Sequence, residues 1–92
     1  MTDAYAVERT RVLEVFAARM RAARERCGLS QESLAAVANV HRTQISALEL
    51  GRREPHLTML LVLNDALGAN LLDGLPVPQE RRPATHRKGR KP

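Results

Sequence analysis

Glycines divide this chain into short segments, and that division limits what it can fold into. Between Gly28, Gly51, Gly68 and Gly74, apolar residues recur at three- and four-residue spacing, which is typical of amphipathic helices. No stretch of any length alternates apolar and polar residues as a half-buried strand would. The pattern therefore predicts a compact all-α fold.

The helix boundaries follow from residues that favour the ends of helices. Ser30 and Asn70 are good N-caps, and Asn39 tolerates the left-handed conformation that often follows a helix. Val12, Phe16, Met20 and Ala23 form one buried stripe on the first helix. Five helices are predicted, and they cover about 7–26, 31–38, 42–50, 57–67 and 71–75.

Charge separates a folded body from a basic tail in this chain of 92 residues. Residues 1–75 hold nine Arg against nine Asp plus Glu, whereas 76–92 hold six Arg plus Lys against Glu80 alone. The folded domain is predicted at 7–75, and 76–92 is predicted to be disordered, because it has little to bury. The tail is interpreted either as a solubilising segment or as a polycation attracted to phosphates.

Several classes of protein are disfavoured by what the sequence lacks. No uninterrupted apolar run exceeds the five residues of 59–63, far below the ~20 residues of a membrane span, and charges near the start disfavour a signal peptide. The single Cys27 makes no internal disulfide. We therefore predict a cytoplasmic protein with no membrane partner.

The second and third predicted helices are separated by a three-residue turn at 39–41, which is the geometry of a helix-turn-helix at about 31–50. The small Ala35 allows a close helix crossing, and Leu34, Val40, Ile45 and Leu48 provide a shared apolar face. The outward face of the third helix, around Thr43, Ala47 and Leu50, is small and uncharged, whereas an ordinary solvated face would carry Lys and Glu. Such a face fits a DNA groove, with an inert face of an Ala-rich protein as the alternative.

Three runs of sequence resemble the Xre/Cro-type, lambda-repressor-like family of helix-turn-helix transcriptional regulators. They are LSQESLA at 29–35, NVHRTQIS at 39–46 and LELGRREP at 48–55, and the likeness extends over about 13–75. The HRT run at 41–43 also resembles controller proteins of restriction–modification systems. The chain departs from the family pattern with Asn39 for a glycine, Ala23 for a larger apolar residue, and Leu50 at an often polar position.

The resemblance implies a role in binding double-stranded DNA for eight residues. Base contacts are expected at the start of the third helix, and phosphate contacts at the start of the second helix, on Gln44 and after the third helix. The expected base readers are Arg42, Thr43, Ser46 and Ala47, and the expected phosphate contacts are Gln31, Gln44, Arg52 and Arg53. For Arg53 a solvated loop charge is the alternative, and Arg24 with Glu49 resembles the family's internal ion pair.

The fourth predicted helix is more apolar than one buried face requires. Leu57, Leu60, Leu63 and Leu67 are predicted to face the core. The surplus apolar surface predicts an isologous homodimer on a pseudo-palindromic operator, with packing inside a monomer as the alternative. The predicted dimer interface consists of Met59, Val62, Ala66, Leu72 and Leu75.

Nothing in the sequence indicates an enzyme, a metal site or a cofactor. His41, His56 and His86 are scattered without Cys or carboxylates at metal-ligand spacing, and no nucleophile–base pair or phosphate-binding loop is recognisable. His41 is interpreted as a cap of the third helix, and His56 as the residue that precedes the fourth. The alternative to a DNA-binding regulator is a protein-interaction module, such as an antitoxin or adaptor, which the neutral folded body favours.

Overall fold

The computed structural model describes residues 6–77, with side chains from Glu8 onward. Within this part the chain is all-helical and holds no strand. The basic tail predicted to be disordered lies almost entirely outside the described residues. The four helices are α1 (Ala6–Arg26), α2 (Gln31–Ala38), α3 (Arg42–Glu49) and α4 (Leu57–Leu67).

All four helices contribute to one apolar core, and each supplies residues at helical spacing. Phe16, Met20 and Ala23 of α1 are buried, as the predicted stripe requires, while Val12 is half-buried. The short helices pack against them with Leu34 and Ile45. Each of α2 and α3 has only eight residues, so their stability depends on this packing rather than on intrinsic helix propensity.

The turns between helices are fixed by local hydrogen bonds and by residues in the left-handed conformation. Oγ of Ser30 accepts from the backbone N of Ser33 at 2.9 Å, so Ser30 caps α2 as predicted. Asn39 ends α2 with φ 58° and ψ 48°. A glycine is therefore unnecessary there, because Asn is among the side chains that accept this conformation most readily.

The register of α4 differs from the prediction. Met59 is only 7% exposed, whereas Leu57, which was expected to face the core, is 70% exposed. At 100° per residue Met59 lies about 40° from the buried Leu63, but Leu57 lies about 120° away. Leu60, Leu63 and Leu67 are buried as predicted, and Met59 completes the inward face in place of Leu57.

The prediction of a fifth helix is wrong, because 71–74 form only a turn. The backbone N of Asp73 bonds the carbonyl of Asn70, and that of Leu75 bonds the carbonyl of Leu72, which is three-residue rather than four-residue spacing. Gly74 has φ +79°, so the chain leaves the helical conformation before a second turn forms. The segment is held instead by Leu71, which is fully buried and whose backbone N donates to Oδ1 of Asn64 at 2.9 Å.

Candidate nucleic-acid interface

The helix pair α2–α3 is joined by a short turn with defined hydrogen bonds. The backbone N of Val40 donates to the carbonyl of Ala35 at 2.9 Å, which continues the cap at Asn39. The backbone N of His41 then donates to Oε1 of Gln44 at 3.1 Å and fixes the start of α3. The buried Leu34 and Ile45 lie on the two sides of the turn. Because both ends of the turn are fixed, α3 is held at a set angle to α2.

One end of α3 faces outward and the other end belongs to the core. Arg42 and Thr43 are exposed, and Ser46 and Ala47 are half-buried. Ile45 and Leu48 are buried and anchor the helix. These four residues are the predicted base readers. All four lie on α3, and the first two are the most accessible.

Glu49 lies at the end of α3 and ties it to α1 and α2. Its side chain is only 1% exposed, and Oε2 lies 2.6 Å from Nε of Arg24. Its other oxygen, Oε1, accepts from Nη2 of Arg24 at 3.0 Å and from Nε2 of Gln31 at 3.1 Å. The expected ion pair is therefore present. Gln31, the first residue of α2, is hydrogen-bonded to the same carboxylate.

The geometry around Arg24 is that of a strong, charge-assisted contact. The two nitrogens that face Glu49 form a fork, and Nη1 donates to the carbonyl of Leu29 at 2.8 Å. The hydrogen bonds to Glu49 raise the pKa of the Arg24 guanidinium above its ordinary value, although burial acts in the opposite direction. Arg24 therefore stays charged wherever the protein folds. The pair joins α1 to α3, and the bond from Gln31 adds α2.

The residues predicted to contact phosphates surround α3 without forming one cluster. Arg52 and Arg53 are exposed in the segment after α3, and the backbone N of Arg52 is held by the carbonyl of Ala47 at 2.9 Å. Gln31 is half-buried and engaged with Glu49. Gln44 uses Oε1 to hold the turn, which leaves its Nε2 as the atom that can donate outward.

The sequence interpretation missed one residue at this surface. Arg21 of α1 places Nε 3.8 Å from Oε1 of Glu49, the oxygen that also accepts from Gln31. A signal for it was present, because Arg21 precedes Arg24 by three residues and such residues share a helix face. Once Arg24 is paired with Glu49, Arg21 must lie close to the same carboxylate.

The predicted dimer residues do not share one exposed surface. Met59 is buried in the core, and Ala66 and Leu75 are half-buried and pack against it. Val62 and Leu72 are exposed. Of the proposed interface, only these last two present substantial surface to a partner.

Within residues 6–77 the titratable and metal-ligating side chains have structural roles or stand apart. No group of three or more His, Cys, Asp or Glu there could hold a metal ion. Nδ1 of His56 accepts from the backbone N of Met59 at 3.2 Å and so caps α4. Sγ of the exposed Cys27 lies 3.5 Å from the carbonyl of Leu67. In the same part of the chain, no helix is both long and apolar enough to cross a membrane.

Comparison with known proteins gives a consistent assignment of family. A helix-turn-helix family model matches residues 20–73, which spans the end of α1, all of α2, α3 and α4, and the turn beyond. No match is found among curated protein sequences. The family match thus includes every residue of the candidate interface described above.

Several solved structures are similar to this chain, and three of them are described here. The restriction-modification controller protein C.AhdI from Aeromonas hydrophila is 36% identical, with a TM-score of 0.61 over 64% of this chain and 89% of that chain. The clp gene regulator ClgR from Corynebacterium glutamicum is 32% identical, with a TM-score of 0.63 over 67% of this chain and 66% of that chain. The hypothetical transcription factor NHTF from Neisseria is 35% identical, with a TM-score of 0.65 over 74% of this chain and 78% of that chain.

These similarities confirm the resemblance seen in the sequence, including the likeness to restriction–modification controllers. The similar structures are described as a restriction-modification controller, a gene regulator and a transcription factor. The chain belongs to the Xre/lambda-repressor-like family of helix-turn-helix DNA-binding regulators.

Proposed function

We propose that this protein is a sequence-specific transcription regulator that places α3 in the major groove of double-stranded DNA. The observation that carries the proposal is the division of α3, whose exposed Arg42 and Thr43 project from a helix anchored by Ile45 and Leu48. A helix held in this way can present side chains to base edges without losing its position. Ser46 and Ala47 provide a small surface that permits close approach to the groove.

The individual contacts follow from the chemistry of the side chains. Arg42 is suited to a bidentate contact with guanine, and Thr43 combines a hydroxyl with a methyl group that fits thymine. Arg52 and Arg53 are exposed cations beyond α3 that suit phosphates of the backbone. Gln31 and Gln44 donate from their amide nitrogens. These phosphate contacts set the register of the protein on the duplex, whereas the contacts from α3 select the sequence.

The proposal includes a homodimer on a pseudo-palindromic operator. α4 carries Leu57, Leu61 and Val62 on its exposed side, and Leu72 is exposed in the following turn. Apolar surface of this kind on a small domain favours association, and two-fold symmetry would pair two copies of α3 on mirrored half-sites. The interface we propose therefore consists of the exposed residues of α4 and does not include the buried Met59. Because such operators lie in the bacterial nucleoid, a cytoplasmic location forms part of the same proposal.

Selection from a random duplex pool tests this function directly. The purified protein is incubated with the pool, and the bound DNA is recovered and sequenced over several rounds. Two enriched mirrored half-sites about one helical turn apart are expected. A pool that stays unenriched, with binding lost near physiological salt, would leave only non-specific electrostatic attraction and would refute the proposal.

A second candidate function is that of a protein-interaction module such as an antitoxin or adaptor. The exposed Leu57 and Leu61 favour it, and so does the zero net charge of residues 1–75. The same selection experiment separates the two, because an adaptor would not enrich a sequence. The match to the helix-turn-helix family model supports DNA binding over this second candidate.

A further inference from the structure

Arg21 stands beside the network of Arg24, Glu49 and Gln31 but is not one of its strong contacts. Its Nε lies 3.8 Å from Oε1 of Glu49, and 52% of its side chain is exposed. Shorter contacts from Nη2 of Arg24 and Nε2 of Gln31 already occupy that oxygen. Arg21 therefore keeps most of its hydrogen-bonding capacity available toward solvent.

Arg21 is the exposed cation of this cluster. Arg21 and Arg24 lie against the carboxylate of Glu49, and the exposed Glu25 also acts electrostatically on Arg24. The Arg24 side chain is only 13% exposed and is held by Glu49 and Leu29, so it has little surface to offer a partner. Arg21 is therefore the cation that this cluster presents outward, and it shares Oε1 of Glu49 with the amide of Gln31.

Glu49 also determines which atom of Gln31 is available. A carboxylate accepts hydrogen bonds only, so the amide must turn its nitrogen, and not its oxygen, toward Oε1. One hydrogen of Nε2 is used in this bond, and the second remains able to donate. Glu49 thereby acts as a positioning residue for a donor that lies beside a cation.

We propose that Arg21 and Gln31 together bind a phosphate of the DNA backbone, so that the contact surface extends from α2 and α3 onto α1. This inference rests on the proposed function, because it requires that the protein bind duplex DNA. A guanidinium beside an amide N–H offers several donors and one net positive charge, which matches a phosphate diester. The contact would add affinity and register without adding base preference.

The first test compares Arg21→Gln with Arg26→Gln by fluorescence anisotropy at several salt concentrations. Both substitutions remove one exposed cation from α1, but Arg26 lies with Val15, Ala18 and Ala22 on another side of the helix. Arg21→Gln is expected to lower the slope of log affinity against log salt by about 0.9 for each DNA-bound chain. Affinity should fall by the same factor on the selected operator and on a scrambled duplex, and Arg26→Gln should leave the slope near the wild-type value. Equal slopes for the two variants would overturn the inference.

The second test locates the phosphate by replacing each backbone position of the operator in turn with a neutral methylphosphonate. One position should weaken the wild type but no longer weaken Arg21→Gln, and the same or the adjacent position should be lost in Gln31→Ala. An identical pattern for wild type and Arg21→Gln would overturn the inference while the proposed function stands. If the wild type binds no duplex DNA at all, both the function and the inference fall.

Discussion

Gln31 and Glu49 are joined by a 3.1 Å hydrogen bond across 18 positions of sequence, from the first residue of α2 to the last residue of α3. The bond closes the open side of the helix pair, opposite the turn at 39–41. Since Glu49 is also bound to Arg24, the two short helices are joined to α1 through the same carboxylate. The orientation of α3 is thus fixed at both of its ends.

Removing the carboxylate of Glu49 should destabilise the protein strongly. Glu49→Ala leaves Arg24 with a largely buried charge and no counter-ion, which costs about 3 kcal/mol in the free energy of unfolding. Urea unfolding followed by circular dichroism measures this change. The exposed Glu14 on α1 is the control, and Glu14→Ala should cost less than about 0.5 kcal/mol. Similar values for the two variants would show that the ion pair does not hold the helices together.

The left-handed conformation of Asn39 predicts opposite behaviour for two small substitutions. Asn39→Ala should lower the free energy of unfolding by about 1 kcal/mol, because a Cβ without a polar group disfavours φ 58°. Asn39→Gly should be neutral or slightly stabilising. Thermal unfolding of the two variants gives the comparison. If Ala and Gly proved equally good at this position, the conformation described here would be incorrect.

Arg42 and Arg52 should affect DNA binding in different ways. Arg42→Ala is expected to relax the preference at one base pair in each half-site, with a loss of about 1–3 kcal/mol of discrimination. Arg52→Ala should weaken binding to all sequences alike and lower the salt slope by about one. Competition binding with operators carrying single base changes distinguishes them. Loss of preference in Arg52→Ala, or none in Arg42→Ala, would reverse the proposed roles.

The exposed face of α4 predicts an effect on assembly rather than on folding. Leu61 is 59% exposed, so Leu61→Glu should leave the fold intact and shift a dimer toward monomer. Val37 on α2 is 60% exposed, and Val37→Glu is the matched control that should not change the assembly state. Sedimentation velocity reports the molecular mass of each. A wild type that is monomeric at high micromolar concentration would exclude the dimer.

The positive charge of residues 76–92 should act on non-specific affinity alone. Replacing the six Arg and Lys of this segment with Gln removes almost all of its attraction for phosphates. Affinity for a scrambled duplex and its salt slope should both fall, while the base preferences found by selection persist. An unchanged salt slope would favour the interpretation of this segment as a solubilising tail.

Most of the fold could be predicted from the sequence because the residues that begin and end its helices act locally. Ser30, Asn39 and Gly68 determine where helices begin and end, and each acts through bonds to residues three or four positions away. The exchange between Leu57 and Met59 was not predictable in this way. In an apolar helix many registers bury leucine equally well, and only packing against the other helices selects one.

The candidate site was predictable in its residue types but not in its connections. The resemblance identified Arg42, Gln31 and the Arg24–Glu49 pair. It did not identify the bond between Gln31 and Glu49, because that contact depends on how the ends of two helices meet in space. The prediction of a fifth helix was wrong for a similar reason. The burial of Leu71 and its bond to Asn64 hold this segment as a turn, although Asn70 is a good N-cap.

α3 separates residues that can be substituted freely from residues that the fold needs. Its first two residues, Arg42 and Thr43, are exposed, whereas Ile45, Leu48 and Glu49 hold the domain together. Under the proposed function, substitutions at these first two positions change which operator is recognised with little cost in folding. A gene duplicate could therefore diverge to a new target through one or two substitutions while its scaffold stays intact.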